Sequence, residues 1–348
     1  MKILSVTDGP SARSSNFELL RILAMFFVLV VHADYAALKQ PTSAEALAAP
    51  LATWTRVVIE FVALVSVNIF VLISGWFGIR AGARGFCKLL FQVAFFSTFT
   101  YFAFVAFGKA DFSFGGLWFN AVEVWAVKQW FVMSYMVLFI ISPLLNAYVE
   151  KASARQLGAF LLAFYALQTF ADVVCYSTDF NRGYSAMSFV GLYLLARFVR
   201  LHGRRLLTLP VAWGLILVPC VLDCILDFYG IRAVIPDITQ RVIRYSNPLA
   251  VAQSVGFLIL FARMKPFVSR VVNAVSSGCF AVYLLNMNPL IYIHFKNYVK
   301  GLYGEYSGAT CIAAIFAFLL VFFAASVAAD LLLRQTAWKA VEKAFPRR

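Results

Sequence analysis

Two ionisable side chains, Arg21 and His32, sit inside the first long apolar run of this sequence. They are eleven residues apart. At 100° per helical residue they fall within about 20° of each other on one face, roughly 16 Å apart along the axis. An ionisable group at the centre of a membrane helix costs roughly 2.5–3.5 kcal/mol on insertion scales, which makes such groups the first place to look for chemistry. Imidazole is the side chain best suited to move a proton near neutral pH. The structural alternative is that Arg21 snorkels to the headgroups and His32 bonds a neighbouring helix.

A second set of candidates follows the second apolar run. Arg80, Arg84 and Lys88 recur every four residues. In a continuous helix they form one basic stripe, either a seat for phosphates or a topology signal. Glycines in the same stretch argue against a continuous helix. Glu60 falls at a depth similar to that of His32 if the first two spans form an antiparallel hairpin, and from there it can orient the imidazole. Asp34, two residues from His32, points in a different direction on the same helix. His202 and His294 read as interfacial residues. Cys220 and Cys224 stand one helical turn apart without a histidine, so the six cysteines read as buried small hydrophobes and no metal site is expected. Trp118, Trp125 and Trp130 read as anchors in the aromatic belt, although such rings also stack on sugars.

The elements that must position these groups are membrane helices. Of the 348 residues 62% are hydrophobic and 13% charged, against about 25% charged in a soluble domain. Apolar runs near the length of a bilayer crossing recur at about 17–38, 57–79, 86–107, 129–149, 155–176, 184–201, 206–228, 247–263, 268–293 and 309–333. The expectation is one all-α domain over residues 1–348, a polytopic transmembrane helical bundle of about ten spans. The first run is too long for a signal-peptide core of about 7–15 residues, and it carries Arg21 and His32, so it is expected to be a retained span. The net charge of +14 is spread among loops, which argues against a nucleic-acid patch. With the N-terminus cytoplasmic, the inner segments hold 20 of the 30 lysines and arginines and the outer ones 11 of the 16 acids. The positive-inside rule then places both termini in the cytoplasm.

Four segments carry a family resemblance. They are Asn16-Phe17-Glu18-Leu19-Leu20-Arg21 followed by His32; Phe70-Val71-Leu72-Ile73-Ser74-Gly75-Trp76-Phe77; Gln129-Trp130-Phe131-Val132-Met133-Ser134-Tyr135 through Ser142-Pro143-Leu144-Leu145-Asn146; and Tyr283-Leu284-Leu285-Asn286-Met287-Asn288-Pro289-Leu290. In this order they resemble the acyltransferase-3 family of bacterial integral membrane acyltransferases, over essentially the whole chain. The resemblance implies an enzyme of the bacterial cytoplasmic membrane. It would transfer an acyl group, usually acetyl from acetyl-CoA, to a hydroxyl of a cell-envelope glycan, with no metal. Its partners would be acyl-CoA, the glycan acceptor and the lipid bilayer.

On that resemblance Arg21 and His32 are the catalytic residues, with His32 either a general base or an acyl-carrying nucleophile. Arg84, Lys88 and Arg80 would hold the CoA phosphates. The family pair is spaced RxxR, whereas Arg84 and Lys88 are four apart. Lysine holds phosphate as a point charge, without the planar fork of arginine. Asn286 stands where many relatives have histidine, so no role carries over to it. The alternative function is a multi-span transporter or flippase of a glycan or lipid-linked substrate, which also needs a polar path through the bundle.

Overall fold

The computed structural model describes residues 14–343. Lys2, Arg13, Arg347 and Arg348, and with them both chain ends, lie outside the described residues. In hydrocarbon the backbone must satisfy its own N–H and C=O groups, and long apolar runs do so as helices. Every regular element among the described residues is helical. The principal ones are α1 (Ser15–Leu38), α2 (Pro50–Phe77), α3 (Ala83–Ala106), α4 (Trp130–Lys151), α5 (Ala154–Val174), α6 (Ala186–His202), α7 (Leu209–Arg232), α8 (Pro248–Arg263), α9 (Arg270–Asn286), α10 (Pro289–Glu305) and α11 (Gly308–Glu342). Large apolar side chains such as Leu144, Leu162 and Val321 face outward from the bundle, as a lipid solvent allows.

Seven of these helices are long and apolar enough to cross a membrane, or eight if α9 and α10 count as one span. Each of the ten expected segments is helical, but three depart from a long straight span. Helix α6 has 17 residues and carries Arg197 and Arg200. Helix α8 has 16 residues. The segment expected at 268–293 bends by 86° between α9 and α10. The cause is local: Asn288 accepts the Leu290 N–H at 3.0 Å and Pro289 is the first helical residue, a combination that starts a new helix. The loop expected at 108–128 also folds, as a short helix at Phe114–Trp118 followed by a π-helical stretch, Phe119–Lys128.

Helices α1 to α9 alternate in direction, so their ends gather at two poles. At the basic pole the Ser15 N–H donates to the Phe267 carbonyl at 2.9 Å, Arg84 pairs with Glu342, and the Asn146 amide donates to the Ile79 carbonyl at 3.0 Å. At the far pole Arg56 pairs with Asp34 at 2.7 Å and the Ser43 hydroxyl donates to the Arg232 carbonyl at 3.1 Å. Helix α9 runs beside α1 in the same direction. Contacts climb the pair from Ser15–Asn273 at the basic pole, through Glu18–Ser276, to His32–Asn286.

Candidate active site

Helix α1 carries the two residues that its periodicity places on one face. Arg21 Nη1 donates to Glu18, one turn earlier, and the same carboxylate oxygen accepts the Ser276 hydroxyl from α9. Glu18 therefore neutralises a cation that would otherwise be costly among apolar helices, and it fixes the guanidinium in place.

Farther along α1, the Nδ1 of His32 is 2.5 Å from Asn286 Oδ1. Asn286 is fully buried at the end of α9. An amide oxygen can only accept, so in this contact Nδ1 donates, and in a neutral ring the lone pair then lies on Nε2. The imidazole borders a cavity of about 170 Å³. Its wall is rich in aromatic rings, among them Trp130, Phe131, Tyr184, Tyr245 and Tyr283. Trp130 stacks on Tyr184 with ring centroids 4.3 Å apart. Of the three tryptophans read as belt anchors, Trp118 is well exposed while Trp130 forms part of the cavity wall.

Glu60 is buried, with Oε2 lacking a hydrogen-bond partner. It lies near Asp34 and Asp227 and takes a backbone hydrogen bond from Tyr35. The residue on Nδ1 of His32 is thus Asn286, whereas Glu60 belongs to a far-pole group. In that group Arg56 holds Asp34, and Asp227 accepts Tyr35 Oη and Gln40 Nε2, each at 2.7 Å.

The loop between α2 and α3 is tightly held. A Cβ on Gly75 would lie 2.4 Å from the Tyr193 carbonyl oxygen, so only glycine allows α2 and α6 to cross this closely. Beyond it, Tyr193 Oη accepts the Ile79 N–H at 2.9 Å and donates to Asn146 Oδ1 at 2.6 Å. Gly78 has φ +78°, a left-handed turn that ends α2. Helix α3 begins only at Ala83, so Arg80 is not part of a helical stripe. Arg84 and Lys88 share a helix face, and Arg84 pairs with Glu342 from the end of α11. Among the described residues no group of three or more His, Cys, Asp or Glu is arranged to hold a metal ion.

The contacts of Glu18, Ser276 and Asn286 with Arg21 and His32 go beyond the residues expected from the sequence. Glu18 is signalled by its i, i+3 spacing to Arg21. Asn286 and Ser276 reach α1 across more than 250 positions of chain, and no local pattern marks such a contact.

No curated protein and no solved structure gives a significant match to the chain. A family model, described as an acyltransferase domain, matches residues 14–333. That interval runs from the residue before α1 into the last turns of the apolar part of α11, and so takes in Arg21, His32, the α2–α3 loop and Asn286. The chain therefore belongs to the acyltransferase-3 family, and its activity is acyl transfer.

Proposed function

We propose that this acyltransferase moves an acetyl group from acetyl-CoA, held at the basic pole, to a hydroxyl of a cell-envelope glycan that approaches from the far pole. The basic pole faces the cytoplasm of a bacterial cell, in keeping with the positive-inside charge distribution. The observation that carries this reading is the contact of His32 with the buried Asn286 beside an aromatic cavity, on the same helix face as the anchored Arg21.

Arg84 and Lys88 hold the CoA phosphates, with Arg80 on the exposed approach, and the thioester arm passes Arg21 to reach His32. Nε2 of His32 takes the proton of the acceptor hydroxyl as its oxygen attacks the thioester carbonyl. The new C–O bond forms, the C–S bond breaks, and the leaving thiolate takes the proton back from Nε2. Asn286 keeps Nδ1 protonated so that Nε2 remains the base. The aromatic rings supply stacking surface for a sugar and exclude water from the thioester.

Two measurements test this. Protein purified in detergent should transfer acetyl from acetyl-CoA to an added glycan, whereas a transporter shows activity only between two compartments. Glycans of a deletion strain should lack acetyl groups that the parent strain carries, as read by mass spectrometry. Unchanged glycans together with an inert purified protein would sink both the donor and the acceptor assignments.

A further inference from the structure

Arg197 and Arg200 lie one turn apart near the basic end of α6. The tight crossing at Gly75 brings them against the α2–α3 loop. Arg200 Nη1 donates to the Trp76 carbonyl, and its guanidinium carbon lies 5.8 Å from the ring centroids of both Trp76 and Phe77. Arg197 Nη1 lies only 3.2 Å from where a Cβ on Gly78 would sit. Its Nε is buried and has no hydrogen-bond partner. Four other internal arginines have acids: Arg21 has Glu18, Arg56 has Asp34, Arg244 has Asp172 and Arg334 has Asp330, while Arg241 is met by the Val173 and Val174 carbonyls. None of the ion pairs among the described residues includes Arg197 or Arg200. Two neighbouring guanidiniums without a carboxylate repel each other, and an anion between them relieves that repulsion.

We infer that Arg197 and Arg200, seated on the Trp76–Gly78 turn, form a phosphate-binding site. Arginine forks spaced i, i+3 suit the tetrahedral oxygens of a phosphate ester, and Gly78 keeps the Arg197 guanidinium free of the side chain that would crowd it. Two sources present this chemistry at the basic pole, the phosphates of the CoA donor and the headgroup of an anionic lipid. The first source rests on the donor reading above. On that reading the pair acts beside Arg84, whose own charge is already met by Glu342.

The test titrates CoA calorimetrically into full-length protein purified in detergent, comparing wild type with Arg197→Gln and Arg197→Lys. A melting curve for each variant confirms folding. Loss of a charge-assisted contact should weaken CoA roughly tenfold to a hundredfold in Arg197→Gln. Arg197→Lys, which keeps charge without the fork, should fall between. A second arm measures the rise in melting temperature on adding phosphatidylglycerol. If CoA affinity is unchanged but that rise shrinks in Arg197→Gln, the site takes lipid phosphate. Variants that match wild type in both arms overturn the inference. Arg84→Ala separates the two readings: weaker CoA there, with Arg197→Gln silent in both arms, rejects this site and leaves the donor reading standing. Wild-type protein that binds no CoA rejects the donor reading, and the lipid arm then decides the site by itself.

Discussion

Glu18 accepts the hydroxyl of Ser276 from α9 on the same carboxylate oxygen that holds Arg21. One carboxylate therefore ties the cation of α1 to the helix that ends at Asn286. Glu18→Gln removes its charge, and a hydrogen bond to a charged group contributes about 1.5–3 kcal/mol. Melting temperature and acyl transfer should both fall in Glu18→Gln. Arg21→Lys keeps the charge and loses the directed fork, so it should impair transfer at a nearly unchanged melting temperature. Full activity in Arg21→Lys would show that only its charge matters.

His32→Ala should leave a folded protein with transfer reduced by the roughly 10²- to 10⁴-fold typical of a positioned acid–base group. Asn286→Leu should lower turnover with little change in the donor KM, since it releases the tautomer rather than a substrate contact. Incubation with radiolabelled acetyl-CoA in the absence of acceptor distinguishes base from nucleophile. No label should remain on the denatured protein if His32 is the base, and a stable acetyl-histidine would replace the direct transfer with a two-step one.

Arg84 and Glu342 have side chains 57% and 34% exposed, and a pair so open to solvent contributes only about 0–1 kcal/mol. On the proposed function, CoA phosphate would therefore displace Glu342 from Arg84 at little cost. Arg84→Ala and Lys88→Ala should each raise the KM for acetyl-CoA, while Arg80→Ala has a smaller effect. Glu342→Gln should lower that KM by freeing Arg84, with turnover unchanged. Steady-state kinetics on the four variants checks the order.

Gly75→Ala places a methyl group 2.4 Å from a backbone oxygen that has no rotamer to change. Separating α2 from α6 should cost about 1–3 kcal/mol, as overpacking does. Thermal denaturation in detergent should show the loss. Gly214→Ala, where a Cβ would meet nothing within 4 Å, serves as the control and should be neutral or slightly stabilising.

Sidedness can be read by cysteine labelling in a background lacking the native cysteines. An impermeant maleimide applied to intact cells should label Asp111→Cys and leave Arg204→Cys unlabelled until the membrane is opened. The reverse pattern would invert the whole assignment of donor and acceptor poles.

Hydropathy made the helical character of the ten expected segments legible, but only seven of the described helices, or eight if α9 and α10 count as one, are long and apolar enough to cross a membrane. The pairing of Arg21 with His32 on one face was equally legible, since both lie on one uninterrupted helix. Legibility failed where the backbone departs from a straight helix. Arg80 fits the four-residue spacing, but the left-handed turn at Gly78 and the late start of α3 take it off the helix. The bend after Asn286 was written locally in Asn288-Pro289, a capping signal that hydrophobicity overrode. The imidazole's partner was beyond local reach: Glu60 has the right depth and Asn286 the right contact. Depth follows from counting residues, whereas contact depends on which helices become neighbours.

The bend at the end of α9 also acts as a depth gauge. Its 17 residues rise about 25 Å at 1.5 Å each, several ångströms short of a hydrocarbon slab about 30 Å thick. On the proposed function, a reaction at His32 would therefore take place below the level that a full crossing reaches. A hydroxyl on the flat side of a bulky polymer stops at the surface. One on a protruding arm or a chain end would dip in, so on the proposed function acceptors would be sorted by reach before any side chain recognises them.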